Sequence, residues 1–525
     1  MPKVLIADKM DAVCAEILAA RGVEVESKPG LTPDELKSAL GQYDGVAVRS
    51  ATKIPAEVLT GAGALKVIGR AGIGVDTIDV PAATNAGIVV MNTPFGNSVT
   101  TAEHTVAMLM ALARQIPQAN ASTHAGKWEK SKFMGVELMG KTLGVIGCGN
   151  IGAIVIDRAQ GLKMRVIGFD PFLSEARATE LGIEKVELDD LFARADFITI
   201  HTPMTDKTRG IINKDAFAKM KKGVRILNVA RGGLVVEADL KAALESGQVA
   251  GAALDVFETE PAKENIFFGM DNVICTPHLG ASTSEAQVNV AVQIAEQIAD
   301  FLLNGAVTNA VNMPSISAED APKLKPYTKL AEQVGRLAGQ MVEDAITGIE
   351  IVYRGQVAGL NTKPLSAVVL AALLGVTLEG VNMVSAPAVA KQRGIALTES
   401  KSESADDLVT ALGVRVKTAK GESTVTGTLF GGGHPRIVSV DGVPVEAALT
   451  PNMLLVRNKD KPGLIGGIGS ILAEAGVNIA DFRLGRVAAG GHAISLIAVD
   501  QRVDDGVCAK LGALPQAESV KRLSF

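Results

Sequence analysis

Aromatic side chains are scarce. Phe, Trp and Tyr together make up 3% of the 525 residues, with a single Trp, which leaves no platform on which unpaired bases could stack. An excess of basic charge is missing too. The 52 Lys and Arg are outnumbered by 57 Asp and Glu, for a formal net charge of -5 and a pI near 5.8. No Lys/Arg cluster stands out, so a nucleic-acid partner has no electrostatic footing. Cysteine is limited to four residues, Cys14, Cys148, Cys275 and Cys508, in no C-x-x-C or Cys/His spacing. This argues against a structural metal or a disulfide framework and for four reduced thiols in a cytoplasmic protein. Long apolar runs are also absent. The stretch from Pro364 to Leu378 is too short to span a bilayer and is closed by Glu379, so it is expected to be a buried helix, with no membrane partner. The opening "MPKVLIADKM" runs directly into a strand pattern with no signal-peptide character.

What is present is length, glycine and a repeated strand–helix alternation. A chain of 525 residues exceeds what one core can serve, and three or four domains are expected. Residues 1–97 alternate apolar strands with helical patterns, as in "KVLIAD", "GVAVRS" and "GIVVMNTP". A long helix over 98–120 leads into a second alternating set ending at "NVICTPHLG". Such alternation specifies parallel sheets covered on both faces. The expected division is a split substrate domain, 1–97 and 282–314, around a Rossmann-type dinucleotide domain, 98–281. A helical and then strand-rich α+β segment, 315–451, follows, and a βαββαβ ferredoxin-like segment, 452–525, ends the chain. The fold class is α/β with two doubly wound parallel-sheet lobes.

The stretch "LGVIGCGNIG" carries the clearest chemistry. Gly147 permits a tight turn after a strand, Gly149 lets the backbone approach a pyrophosphate, and Gly152 allows close helix–strand packing. The helix that follows presents free N–H groups and a positive dipole end. The next strand ends at Asp170, 18 residues beyond Gly152, where a carboxylate binds the adenine-ribose hydroxyls. No Lys or Arg follows directly in "DPFLSE", so the cofactor is expected to be NAD and not its 2′-phosphorylated relative.

Three polar residues stand at strand ends further on: Arg231 in "NVARGG", Glu260 in "FETEP" and His278 in "TPHLGAS". Removing hydride from a secondary alcohol requires a base for the hydroxyl proton and a cation for the developing carbonyl or a neighbouring carboxylate. His278 suits the first task. Glu260 can orient the ring and stabilise the imidazolium. Arg231 offers a bidentate fork for a 2-hydroxy carboxylate. Each also has a plainer reading: a structural histidine, a surface ion pair, a cap before Pro261. His201 is expected to line the cofactor pocket, His104 to be structural, and Cys148 to be inert in its turn.

The series "LGVIGCGNIG…FDP…HTP…NVARGG…ALDVFETEP…TPHLGAST", with "RAGIGVDTID" and "NTPFGNSVTTAEH", resembles the D-isomer-specific 2-hydroxyacid dehydrogenase family over essentially the whole chain. The C-terminal third is similar to that of its long members, which add an intervening domain and a small regulatory ACT domain. The resemblance implies catalytic roles for Arg231, Glu260 and His278. It implies cofactor contacts at Ile73, Asn150, Ile151, Asp170, Thr202, Val229, Ala230, Asp255 and Gly280, beside the three glycines of the turn. It further implies oxidation of 3-phosphoglycerate to 3-phosphohydroxypyruvate with NAD, the entry to serine synthesis. An unphosphorylated 2-hydroxy acid, or a catalytically silent NAD-sensing protein, are the rivals. A phosphorylated acid needs further cations, for which Arg49 and Arg70 at the ends of first-lobe strands are candidates, while Ser50 beside Arg49 and the backbone N–H groups of "RAGIG", Gly72 among them, are candidates to hold the substrate's anionic groups. In "RNKDKPGLIGGIGS…VNIADFRLG", Asp460 and Asn478 fall where such domains hold L-serine between paired copies, and a homodimer or homotetramer is implied. Gly431–Gly433 with His434 and Arg436 form either an anion site or a tight β-turn.

Overall fold

The computed structural model describes residues 1–525 apart from Ala318, Asp406 and Gly432. In the first lobe, five short runs form β1 (Lys3–Ile6), β2 (Glu24–Ser27), β3 (Gly45–Val48), β4 (Val67–Arg70) and β5 (Val89–Asn92), all but the edge strand β2 largely buried. They pair in parallel in the order β2-β1-β3-β4-β5. Asp8, Arg49 and Arg70 thus end or follow adjacent parallel strands, at the carboxyl edge where such sheets bind ligands.

The second lobe holds β6 (Thr142–Ile146), β7 (Arg165–Phe169), β8 (Glu184–Lys185), β9 (Phe197–Ile200), β10 (Val224–Asn228), β11 (Val249–Leu254) and β12 (Val273–Cys275). Their order is β12-β11-β10-β9-β6-β7-β8, all parallel. Strand order reverses at β6, which lies between β7 and β9, so the glycine turn after β6 opens at the topological switch point.

Two helical segments link the lobes. The expected helix over 98–120 is two, Ser98–Arg114 and Ile116–His124, broken at Gln115, which adopts φ 53°. Pro117, in the first turn of the second helix, lacks the N–H that a continuous helix would need. The helix Ser284–Asn304 returns to the first lobe. Its Val290, Ala291, Ile294 and Ile298 share a buried cluster with Val4, Ala47 and Val67. Gly69 leaves the room that Ile294 and Ile298 fill, and Asp300 accepts from Arg21 at 2.6 Å.

The third sheet comprises β13 (Ile346–Gly355), β14 (Ala396–Ser402), β15 (Thr410–Thr418), β16 (Gly421–Phe430), β17 (His434–Val440) and β18 (Val443–Ala447), in the order β14-β13-β15-β16-β17-β18. It is mixed: β13 and β14 are parallel, the other pairs antiparallel. The helix Asp320–Met341 packs on it and on the helix Lys363–Leu374, the buried helix expected from the apolar run. Gly431 and Gly433 lie between β16 and β17, whose Phe430 and His434 pair. Gly432 lies outside the described residues, and Arg436 is turned to its own neighbour, Nη1 donating to the Pro435 carbonyl at 3.0 Å.

The fourth sheet is β19 (Asn452–Lys459), β20 (Ile479–Arg486), β21 (His492–Val499) and β22 (Ala517–Ser524), antiparallel in the order β20-β21-β19-β22. Helices Leu464–Glu474 and Asp505–Gly512 complete the expected βαββαβ unit. Among the described residues no helix is long and apolar enough to cross a membrane.

Candidate active site

The turn after β6 is shaped for a phosphate. Gly147 takes φ 93°, a conformation that favours glycine. A Cβ on Gly152 would collide with the Gly147 carbonyl, so helix and turn touch backbone to backbone. Gly149 is the reverse case: a Cβ there would meet nothing within 4 Å. Gly149 is also the N-cap of the helix Asn150–Gly161, with no side chain capping it. Uncapped N–H groups beside open space fit a pyrophosphate. Asp170 holds the turn, accepting from the Cys148 amide at 3.0 Å and the Phe172 amide at 2.8 Å. The Thr202 hydroxyl and His201 Nδ1 are buried without partners, a second sign of a polar ligand at this edge. Burial lowers the His201 pKa to about 4, so this ring is neutral. The Cys148 thiol is pushed up to about 12 by burial and then by Asp170, which removes it as a nucleophile. Asn150 is exposed, reaching the Pro94 carbonyl at 3.5 Å. Ile73, Ile151 and Ala230 are half-buried and Val229 buried. These residues and this cleft fit a dinucleotide.

Glu260 and His278 meet. His278 Nδ1 lies 2.6 Å from Glu260 Oε2, and Glu260 Oε1 accepts from the Phe257 amide at 3.0 Å. The hydrogen bond from Glu260 raises the His278 pKa and outweighs desolvation, with Asp255 adding to the rise and Arg231 opposing it. For Glu260, burial would raise the carboxyl, but His278, the Phe257 amide and Arg231 together bring it below its usual range. The cap reading for Glu260 does not hold, since no helix starts at Pro261.

The ring is aimed by backbone that Asp255 controls. Asp255 is fully buried, and its oxygens accept from Thr276 Oγ1 at 2.6 Å, the Leu279 amide at 2.7 Å and the Gly280 amide at 2.9 Å. His278 itself sits at φ 54°, a strained conformation for a non-glycine residue. Its amide bonds the Asp255 and Thr276 carbonyls at 2.9 and 3.0 Å. Asp255, expected to touch cofactor, spends its oxygens on this loop. His104, expected to be only structural, places Nε2 at 3.3 Å from both Asp255 and Thr276.

Arg231 faces the first lobe, donating from Nε to Asp76 Oδ2 at 2.9 Å. Arg49 and Arg70 stand close enough that, after burial, their mutual charge and that of Arg231 bring the Arg70 pKa down to about 10; Asp8 and Asp76 oppose this. Both Arg49 and Arg70 carry a buried Nε with no partner. Asp8 shapes the loop that presents Arg49, accepting from the amides of Arg49, Ala51 and Thr52 at 3.0, 3.2 and 3.1 Å. Ser50 is exposed on that loop. Gly72 differs from expectation. Its amide is committed to Thr93 Oγ1 at 2.8 Å, and its bare Cα instead makes room for the Arg70 guanidinium. Asp8, Asp76 and Thr276 are not singled out by the sequence, although an acid two residues beyond β1 is a strand-end signal; Asp76, six residues past β4, carries none.

In the C-terminal sheet, Asp460 accepts from Arg486 Nη1 at 2.5 Å and from the Gly490 amide at 3.1 Å. The Arg486 contact holds its carboxyl below the usual range. A pocket of about 370 Å³ lies here, lined by Asp460, Pro462, Gly463, Leu464 and Arg486. Asn478 is not part of it. Asn478 donates to Asp500 Oδ2 at 2.7 Å, beyond the far end of β21, whose eight residues separate the two sites by about 25 Å.

The chain matches three family models: D-isomer specific 2-hydroxyacid dehydrogenase, NAD binding domain, over residues 106–280; D-3-phosphoglycerate dehydrogenase intervening domain over 323–441; and ACT domain over 452–516. It is 44% identical over 526 residues to a Synechocystis D-3-phosphoglycerate dehydrogenase, covering 99% of this chain and 95% of that one. It is 43% identical over 502 residues to an Archaeoglobus fulgidus protein of the same name, covering 95% of each. A crystal structure of a glyoxylate reductase from Paecilomyes thermophila superposes with a TM-score of 0.56 at 30% identity, over 59% of this chain and 98% of that one. On sequence, domain content and fold, the chain belongs to the D-3-phosphoglycerate dehydrogenases of the D-isomer-specific 2-hydroxyacid dehydrogenase family.

Proposed function

We propose that the chain oxidises 3-phospho-D-glycerate to 3-phosphohydroxypyruvate with NAD, the first step of L-serine biosynthesis, and that the residues converging on the cleft divide the work as follows. Bound NAD supplies the hydride acceptor. His278 removes the hydroxyl proton through Nε2, because Nδ1 is engaged by Glu260. Glu260 fixes the ring's orientation and stabilises the imidazolium once the proton has arrived. Arg231 grips the carboxylate, and Arg49 and Arg70 hold the phosphate. The observation that carries the reading is this pairing of an acid-oriented imidazole with Arg70 and the two arginines whose charges act on it, Arg49 and Arg231. Two arginines beyond the one that a simple 2-hydroxy acid requires favour a phosphorylated substrate.

Regulation and assembly belong to the same reading. L-serine is the effector, and because Asp460 and Asn478 stand at opposite ends of one sheet, a site that uses both is completed only by a second copy. The homodimer or homotetramer is supported by exposed Ile116, Trp128, Met134 and Met139, clustered in sequence on the helix Ile116–His124 and the connector after it. Four unpaired thiols accord with a cytoplasmic enzyme.

The test is NADH formation with 3-phosphoglycerate against a panel of D-2-hydroxy acids, with and without L-serine. Preference for 3-phosphoglycerate, and serine inhibition that Asp460→Ala abolishes, are expected. Equal rates with D-glycerate would remove the phosphate roles of Arg49 and Arg70.

A further inference from the structure

We infer that Asp76 is a positioning residue for this reaction, holding the Arg231 guanidinium from across the cleft so that its remaining donors meet the substrate carboxylate. The inference rests on the function proposed above.

Arg231 is fixed at both ends. Its main chain is set from its own lobe. The buried Asn228 donates from Nδ2 to the Arg231 carbonyl at 2.8 Å and accepts from the Ala230 amide at 3.1 Å. Its side chain is set from the other lobe. Nε donates to Asp76 Oδ2 at 2.9 Å, while Nη1 donates to the Ala230 carbonyl at 2.7 Å. Two bonds in different directions define the plane of the fork and leave three of its five N–H donors for a ligand.

The seat for that plane is built into the turn after β4. A Cβ on Gly74 would collide with Arg231 Nη2, and the same point lies 2.6 Å from Asp76 Oδ2. The guanidinium therefore rests on bare backbone at Gly74, and the acid two residues later clamps it. A ligand carboxylate then meets a donor pair whose orientation is already set, so little ordering remains at binding. Asp76 also stands among cations that repel one another, since Arg49 and Arg231 both act on Arg70 and Asp8 and Asp76 offset them.

Two other roles for Asp76 make opposite predictions. As an exposed ion pair, with side chains 30% and 58% accessible, it would contribute almost nothing. As an anion competing with substrate, its removal would tighten binding.

Steady-state kinetics of the full-length enzyme separate these readings. Asp76→Ala is expected to raise KM for 3-phosphoglycerate at least about tenfold and lower kcat/KM about a hundredfold, with KM for NAD within about twofold of wild type. Asp76→Asn, whose amide oxygen still accepts from Nε, recovers part of the loss and serves as the probe should the alanine variant fail to fold. Gly74→Ala, which displaces the fork directly, reproduces the Asp76→Ala pattern. Unchanged or lowered KM for 3-phosphoglycerate in Asp76→Ala or Asp76→Asn, or equal loss of NAD affinity, overturns the inference. A wild-type enzyme that forms no NADH with 3-phosphoglycerate overturns instead the function on which it rests.

Discussion

Asp255 and His278 are joined through the backbone, not through their side chains: the Asp255 carbonyl accepts from the His278 amide at 2.9 Å, while the Asp255 carboxylate grips the next two amides in the chain. A buried acid thus keeps a base in a strained conformation, φ 54°, at the position where its ring meets Glu260. The Glu260–His278 pair is as much a product of the β11–β12 edge as of its own two side chains.

Asp255→Ala tests that arrangement. Removing the carboxylate leaves buried amides and the Thr276 hydroxyl without their acceptor, and each such group costs about 1–3 kcal/mol. A loss of about 3 kcal/mol in unfolding free energy is expected, together with a fall in kcat exceeding that explained by unfolded enzyme. Chemical denaturation and kinetics on the same preparation check both.

Glu260→Gln tests the ring's tuning. Glu260 is the main cause of the raised His278 pKa, so the substitution lowers it. Alcohol oxidation needs the neutral imidazole, so the rate climbs with pH through this pKa. The variant's rising limb therefore moves to lower pH, while its plateau kcat falls about 10- to 100-fold for want of the orienting carboxylate. Ketone reduction needs the protonated ring and loses activity at lower pH than wild type. A pH–rate profile in both directions reads the shift.

The glycine turn yields a contrast. Gly149→Ala adds a methyl where nothing lies within 4 Å, so stability holds while NAD affinity falls at least about tenfold, the methyl standing in the pyrophosphate's path. Gly152→Ala drives a methyl into the Gly147 carbonyl and costs about 1–3 kcal/mol of stability as well as affinity. Thermal melts with and without NAD distinguish the two.

Much of this was readable from the chain. Strand–turn–helix punctuation around Gly147, Gly149 and Gly152 is local, and so is the placement of Arg231, Glu260 and His278 just beyond strand ends; these survive translation into three dimensions because parallel sheets align their carboxyl edges. What escaped reading depends on distant segments. Asp76 acquires its partner only when the lobes face each other, 155 residues apart in sequence. The commitment of Gly72 to Thr93 and of Asp255 to its loop follows from neighbouring strands, which no local pattern reports. Asp460 and Asn478 flank one helix in sequence, yet the antiparallel register of β19, β20 and β21 sends them to opposite ends. The break at Gln115 had a local sign in Pro117, outweighed by the apolar periodicity on either side.

The most direct measurement is made on His278→Ala: turnover with saturating 3-phosphoglycerate and NAD, alongside NADH affinity by fluorescence titration. If His278 takes the hydroxyl proton, kcat falls about 10²- to 10⁴-fold while the NADH dissociation constant stays within about twofold of wild type. Turnover near the wild-type rate in a variant that binds NADH normally would contradict it.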